Sequence, residues 1–140
     1  VCIACASPDA CLSSGTCDLD PAATWRVRVS AINTTSWDSG SESDIEVRLW
    51  CPSSATSISA TMPKIDDNDM PRWATGGCTI TTAALLAEGV AFEVRDIDAA
   101  FHDTVQPRTN TTISASNLRA GSLTGNTGNL SLITFTFTKL

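Results

Sequence analysis

The stretch Ile45-Glu46-Val47-Arg48-Leu49-Trp50 alternates apolar and polar side chains, with Ile45, Val47 and Leu49 on one face. A period of two marks a strand with one buried side. The same alternation runs upstream through Trp25-Arg26-Val27-Arg28-Val29-Ser30-Ala31-Ile32, and Val90–Ile97 is a further strand downstream. Leu130–Thr138 reads as a closing strand, its apolar members Leu130, Leu132, Phe135 and Phe137 set among threonines. Ser57–Thr61, Gly77–Thr82 and part of Thr104–Ser114 complete the set. Helical signal is confined to Thr82–Glu88, with Gly89 placed to cap its end. Gly, Pro, Asn and Ser punctuate the runs, and seven or eight short strands of this kind predict an antiparallel β-sandwich.

A chain of 140 residues that is 42% hydrophobic can bury one ordinary core. No apolar run reaches membrane-spanning length. The N-terminus lacks the charged and apolar regions of a signal peptide. Fifteen acidic residues against nine basic ones give a formal net charge of -6. No basic cluster is available to follow a phosphate backbone, which excludes nucleic acid as an expected partner. The same lack argues against purely electrostatic attachment to anionic lipid.

Six cysteines are an even number, and Cys2, Cys5, Cys11 and Cys17 crowd the first seventeen residues. The spacing is too loose for a zinc ribbon, and Cys2-x2-Cys5 lacks the βαβ context of a redox motif. Disulfides are the expected reading, and they imply an oxidising compartment, that is, a secreted, cell-surface or periplasmic location. Cys51 and Cys78 each lie in or beside a strand and are expected to bridge. Residues 1–22 thus form a Cys-rich arm and residues 23–140 the sandwich domain. Such an arm also suits a lipoprotein tether.

In a sandwich of consecutive up-and-down strands, every second connection falls at the same end. Counting from Trp25, those connections are Asn33–Asp44, Ile65–Arg72 and Asp96–Asp103, and they hold eight of the eleven aspartates. The loops at the other end, Pro52–Thr56 and Ala83–Gly89, contain only Glu88. Carboxylates brought together repel, and a hard cation relieves this; calcium accepts oxygen ligands in flexible geometry. Asp66–Asp69 is not an EF-hand, since its fifth position is Met70 and the required glycine is missing.

Three segments carry a resemblance. Trp37-Asp38-Ser39-Gly40-Ser41-Glu42-Ser43-Asp44 resembles the first calcium loop of C2 domains. Thr61–Trp73 resembles that family's run from a threonine-rich strand into its second loop, and Phe92-Glu93-Val94-Arg95-Asp96-Ile97-Asp98 with Asp103 resembles the third. The match keeps the family's order over residues 24–140. Departures are Ile45 in place of the family's proline, a shifted Asp69-Met70-Pro71-Arg72-Trp73, and a shorter step from Asp98 to Asp103. The resemblance implies an all-β, eight-stranded, C2-like sandwich with Asp38, Asp44, Asp96, Asp98 and Asp103 as Ca2+ ligands. It implies no catalytic residues.

Two uses of such a site follow. In one, calcium orders the loops of a structural or protein-interaction module. In the other, it attaches the domain to a phospholipid surface, with Trp37 and Phe101 on the rim entering the interface. An enzyme is not expected: His102 is the sole histidine, and no Gly-x-Ser-x-Gly elbow occurs. Sequons lie at Asn33, Asn110 and Asn129.

Overall fold

The computed structural model describes all of residues 1–140. Its body consists of β3 (Thr24–Thr34), β4 (Ile45–Trp50), β5 (Ala60–Ile65), β6 (Cys78–Thr81), β7 (Val90–Ile97), β8 (His102–Thr111), β9 (Ser122–Thr127) and β10 (Leu130–Lys139). These eight strands form two antiparallel four-stranded sheets, ordered β6-β3-β10-β9 and β5-β4-β7-β8. The eight-stranded antiparallel sandwich expected from the sequence is therefore the observed fold. Two short helices, α1 (Thr82–Glu88) and α2 (Ala115–Ala120), cross between the sheets. No helix is long and apolar enough to cross a membrane.

The period-two strands deliver their apolar faces to one core. Val27 and Val29 of β3, Ile45, Val47 and Leu49 of β4, and Phe92 and Val94 of β7 are all essentially inaccessible to solvent. Phe92 and Phe135 meet edge to face across the layers, with ring centroids 5.7 Å apart. Truncating either ring to alanine is expected to cost about 3–5 kcal/mol, measurable by urea unfolding. Trp25 is buried too, and its indole N–H donates to the Thr82 hydroxyl at 2.8 Å, locking α1 onto β3.

Several boundaries depart from the expectation. The third strand starts at Ala60, not Ser57. It is an edge strand, where Pro63 is tolerated because no ladder partner needs its N–H. In β10 the phase breaks: the register shifts between Leu130 and Leu132 against β3, and between Leu130 and Ile133 against β9, so Leu132 is only half-buried while Ile133, Phe135 and Phe137 point inward. A bulge inserts the extra residue that moves the apolar set onto the core side. Strand β9 was not expected, because Ser-Leu-Thr-Gly-Asn-Thr has a single apolar residue. Helix α2 was also missed; Ser114 and Asn117 form a reciprocal capping box, and Gly121 closes it in the left-handed conformation. Helix α1 ends at Gly89 as expected (φ 66°), where a Cβ would collide with the Thr111 carbonyl oxygen.

All six cysteines are paired. Cys51–Cys78 joins the end of β4 to β6 and so ties one sheet to the other. Cys2–Cys11 and Cys5–Cys17 staple the N-terminal segment around a hairpin of β1 (Ala10–Cys11) and β2 (Cys17–Asp18). Arg119 of α2 reaches this hairpin, its Nε 3.0 Å from Asp9 and its Nη2 2.8 Å from Asp18. Leu19, just beyond the hairpin, is buried with the main core.

Candidate functional site: an acidic cluster at one end of the sandwich

The β3–β4, β5–β6 and β7–β8 connections lie together at one end, as the strand parity requires. Backbone groups stitch them. The Ser43 N–H donates to the Asp69 carboxylate, the Asp67 N–H to the Asp44 carboxylate, and the Asp44 N–H to Asp96 Oδ1, each at 2.8 Å. The Asn68 N–H donates to the Ser43 carbonyl, and the Ile97 N–H to that of Asp44. Ser43 is fully buried between these contacts, its hydroxyl accepting from the Trp37 N–H at 2.8 Å.

Asp96 is the centre of the arrangement. Along β7 the inward positions are Phe92, Val94 and then Asp96, so a carboxylate occupies a place the pattern reserves for an apolar side chain. It is entirely shielded from solvent. Its Oδ1 accepts from Asp44, whereas its Oδ2 has no hydrogen-bond partner. Burial, reinforced by the charges of Asp38 and Asp98, pushes its pKa up to about 6. Asp38 and Asp98 complete the cluster, the ligand atoms of all three lying within 4.8 Å of one another. The Asp98 carboxyl is likewise raised, by partial desolvation first and then by Asp38. A hydrogen bond from the Asp98 N–H to the Phe101 carbonyl, 3.0 Å, closes the third loop beneath them.

The remaining expected ligands stand differently. Asp103 lies across from Asp96 in the β7–β8 register, is exposed, and adds to the field felt by Asp98. Asp44 is already engaged: beside the Asp67 N–H, its Oδ2 is 3.8 Å from the Lys64 ammonium. Lys64 sits 2.6 Å from Asp66, and this partner is the main reason its pKa is raised. Of the second-loop aspartates, Asp69 ties that loop to the first by accepting from Ser43, whereas Asp66 pairs locally with Lys64. Sequence reasoning missed the parts played by Lys64 and Ser43, whose signals are tertiary. The inward phase of Asp96 is legible in Phe92–Asp98, where it continues the alternation of Phe92 and Val94.

An unpartnered, solvent-free carboxylate oxygen beside two further carboxylates is unfavourable as it stands. A proton on the cluster, or a positive charge beside it, relieves this repulsion.

Strand order and loop placement define the class of module: the fold is that of a C2 domain. A solved chain described as "Structure of a C2 domain" superposes with a TM-score of 0.59, covering 84% of this chain and 97% of that one, at 14% sequence identity. No protein-family model matches the sequence, and no curated protein sequence matches it. Three disulfides point to an oxidising environment for the folded chain.

Proposed function

We propose that the chain is a secreted, calcium-binding C2-like module whose ion orders the acidic loop end of a structural or interaction domain. The observation that carries this reading is Asp96, fully buried with an orphaned Oδ2 between Asp38 and Asp98. These three residues would hold Ca2+, with Asp103 and Asp44 at the margin; bound there, the ion supplies positive charge that cancels their repulsion. Calcium suits the set because it accepts several carboxylates without demanding strict octahedral geometry. Titration calorimetry is expected to show binding to the wild type and none to an Asp96→Asn/Asp98→Asn double variant. A wild type that evolves no heat at millimolar calcium would sink the proposal.

A second reading, calcium-dependent attachment to a phospholipid surface, draws on a separate observation. Each of the three loops presents one large apolar side chain to solvent: Trp37 (37% exposed), Met70 (58%) and Phe101 (79%). Such side chains around a cation that can meet lipid phosphate suit shallow insertion. In co-sedimentation with phosphatidylserine/phosphatidylcholine vesicles, binding is expected with calcium and lost with chelator, and Phe101→Asp should reduce it at least tenfold. Equal pelleting of wild type and Phe101→Asp, or none with calcium, leaves the structural reading alone.

The Cys-rich segment 1–22 we take as an arm clamped on the domain. Its contacts through Arg119 are solvent-exposed and contribute little to global stability. Arg119→Ala is therefore expected to hasten proteolysis of residues 1–18 while the melting temperature stays unchanged.

A further inference from the structure

The two sheets part along one side, where the edge strands β8 and β9 flank a cleft of about 280 Å3. Leu123, Gly125 and Thr127 of β9 share a face by the two-residue period, and all three line the cleft. Gly125, paired with Ile133 of β10, leaves the middle position of that face without a side chain. A Cβ there would meet nothing within 4 Å, and the backbone is not in the left-handed region. Neither strain nor crowding calls for glycine at this position, and what its presence provides is space in a layer that elsewhere is filled.

The lining is neutral. Leu123, Ile133, Phe92 and Phe135 make an apolar floor, and no charged residue reaches the opening. Around the floor stand Asn110, Thr111, Thr112, Asn126 and Thr127. None of these five side chains is hydrogen-bonded within the chain, whereas the nearby Thr109 hydroxyl is taken up by Gln106 and the Pro107 carbonyl. Each free amide and hydroxyl both donates and accepts. A charged ligand finds no counter-charge here, and a purely apolar one displaces water from these groups without replacing its hydrogen bonds. A small ring with an apolar face and several hydroxyls satisfies floor and rim together. The volume sits just below the usual range for small-molecule sites, roughly 300–1,000 Å3, and so fits one such ring.

We propose that this cleft binds a single uncharged sugar ring, free or as the end of a glycan. Thr109–Thr111 pair with the start of β7, Val90–Phe92, while Thr127 pairs with Leu130 beside Thr34, so the cleft runs along the strands, and no acidic residue lines it.

The test is an amide chemical-shift titration of the folded 140-residue chain with the methyl glycosides of glucose, galactose and mannose, alongside cyclohexanol and glucuronate. At least one neutral glycoside is expected to give saturable shifts at Thr109, Gly125 and Thr127 below about 50 mM, a weak but specific affinity. Chelator should leave those shifts unaltered. Gly125→Leu should abolish them while raising the melting temperature, because it fills the cleft. Thr127→Val, nearly isosteric, should weaken binding several-fold even if the leucine variant fails to fold. The proposal is overturned by the absence of saturable shifts with all three glycosides. It is equally overturned if cyclohexanol or glucuronate shifts the same amides as strongly, or if both variants bind like the wild type. Loss of calcium binding with retained glycoside shifts would refute only the function proposed for the aspartates.

Discussion

Asp96→Asn is expected to raise the melting temperature of the metal-free protein at neutral pH and to abolish its stabilisation by calcium. The two effects have opposite signs and one cause. In the folded chain burial pushes the Asp96 carboxyl up to about 6, well above the usual carboxylate range. The folded state therefore binds the proton more tightly than the unfolded one. Its stability is greatest below about pH 4 and falls as pH rises through about 6, by roughly 2–3 kcal/mol. Asparagine retains an Oδ1 to accept from the Asp44 N–H and brings no charge beside Asp38 and Asp98. It should recover most of that loss at pH 7, a gain of several degrees. Calcium at a hundredfold excess over its Kd should add about 2.7 kcal/mol to the wild type, and the asparagine variant should forgo it. Calorimetric melting of both proteins between pH 4 and 7, with calcium and with chelator, reads all these quantities. An asparagine variant that melts lower than wild type and still responds to calcium would refute the account.

Removing the bridge between the sheets should have the largest purely structural effect. Cys51 and Cys78 close a sequence separation of 27 residues and join the two layers. In the chain-entropy view, the bridge removes freedom from the unfolded state worth about 3.5 kcal/mol. Cys51→Ala/Cys78→Ala is expected to lose about that much in guanidinium unfolding, with the melting temperature falling by roughly 10 °C or more. Asp38, Asp96 and Asp98 lie outside the closed segment, and the contacts of Asp67 and Asp69 with the first loop do not run through the bridge, so calcium should still bind to the folded variant. A loss below about 1 kcal/mol would mean that the unfolded chain gains little freedom when the bridge opens.

How much could be read from the residues follows from where the information resides. The alternation in Ile45–Leu49 and Trp25–Ile32 states both the strand and the face it buries, because a pleated strand sends successive side chains to opposite sides. The α1 limits were legible for a similar reason: Gly89 is needed where the chain reverses beside the Thr111 carbonyl. Strand β9 was not legible. It borrows its pairing from β10 and has Leu123 as its one apolar residue, so it has almost no apolar signal of its own. The phase change in β10 was hidden as well, since a bulge is a property of two paired strands and not of one.

The acidic loops divide along the same line. Strand parity alone placed eight aspartates at one end of the sandwich. Local sequence did not distinguish them, because exposed and buried carboxylates are written with the same residue. Tertiary structure decided that Asp96 falls in the inward phase of β7 with one oxygen unpartnered, and that Asp38 and Asp98 join it. It also decided that Asp69 holds the second loop to Ser43 and that Asp66 is taken up by Lys64. Alternation and chain order are properties of one strand and its neighbours in sequence, and for this protein they determined the sandwich and its acidic end. Desolvation and hydrogen-bond partnership depend on segments far apart in the chain, so only the assembled fold could separate the buried, unpartnered carboxylate and its two neighbours from those already in use.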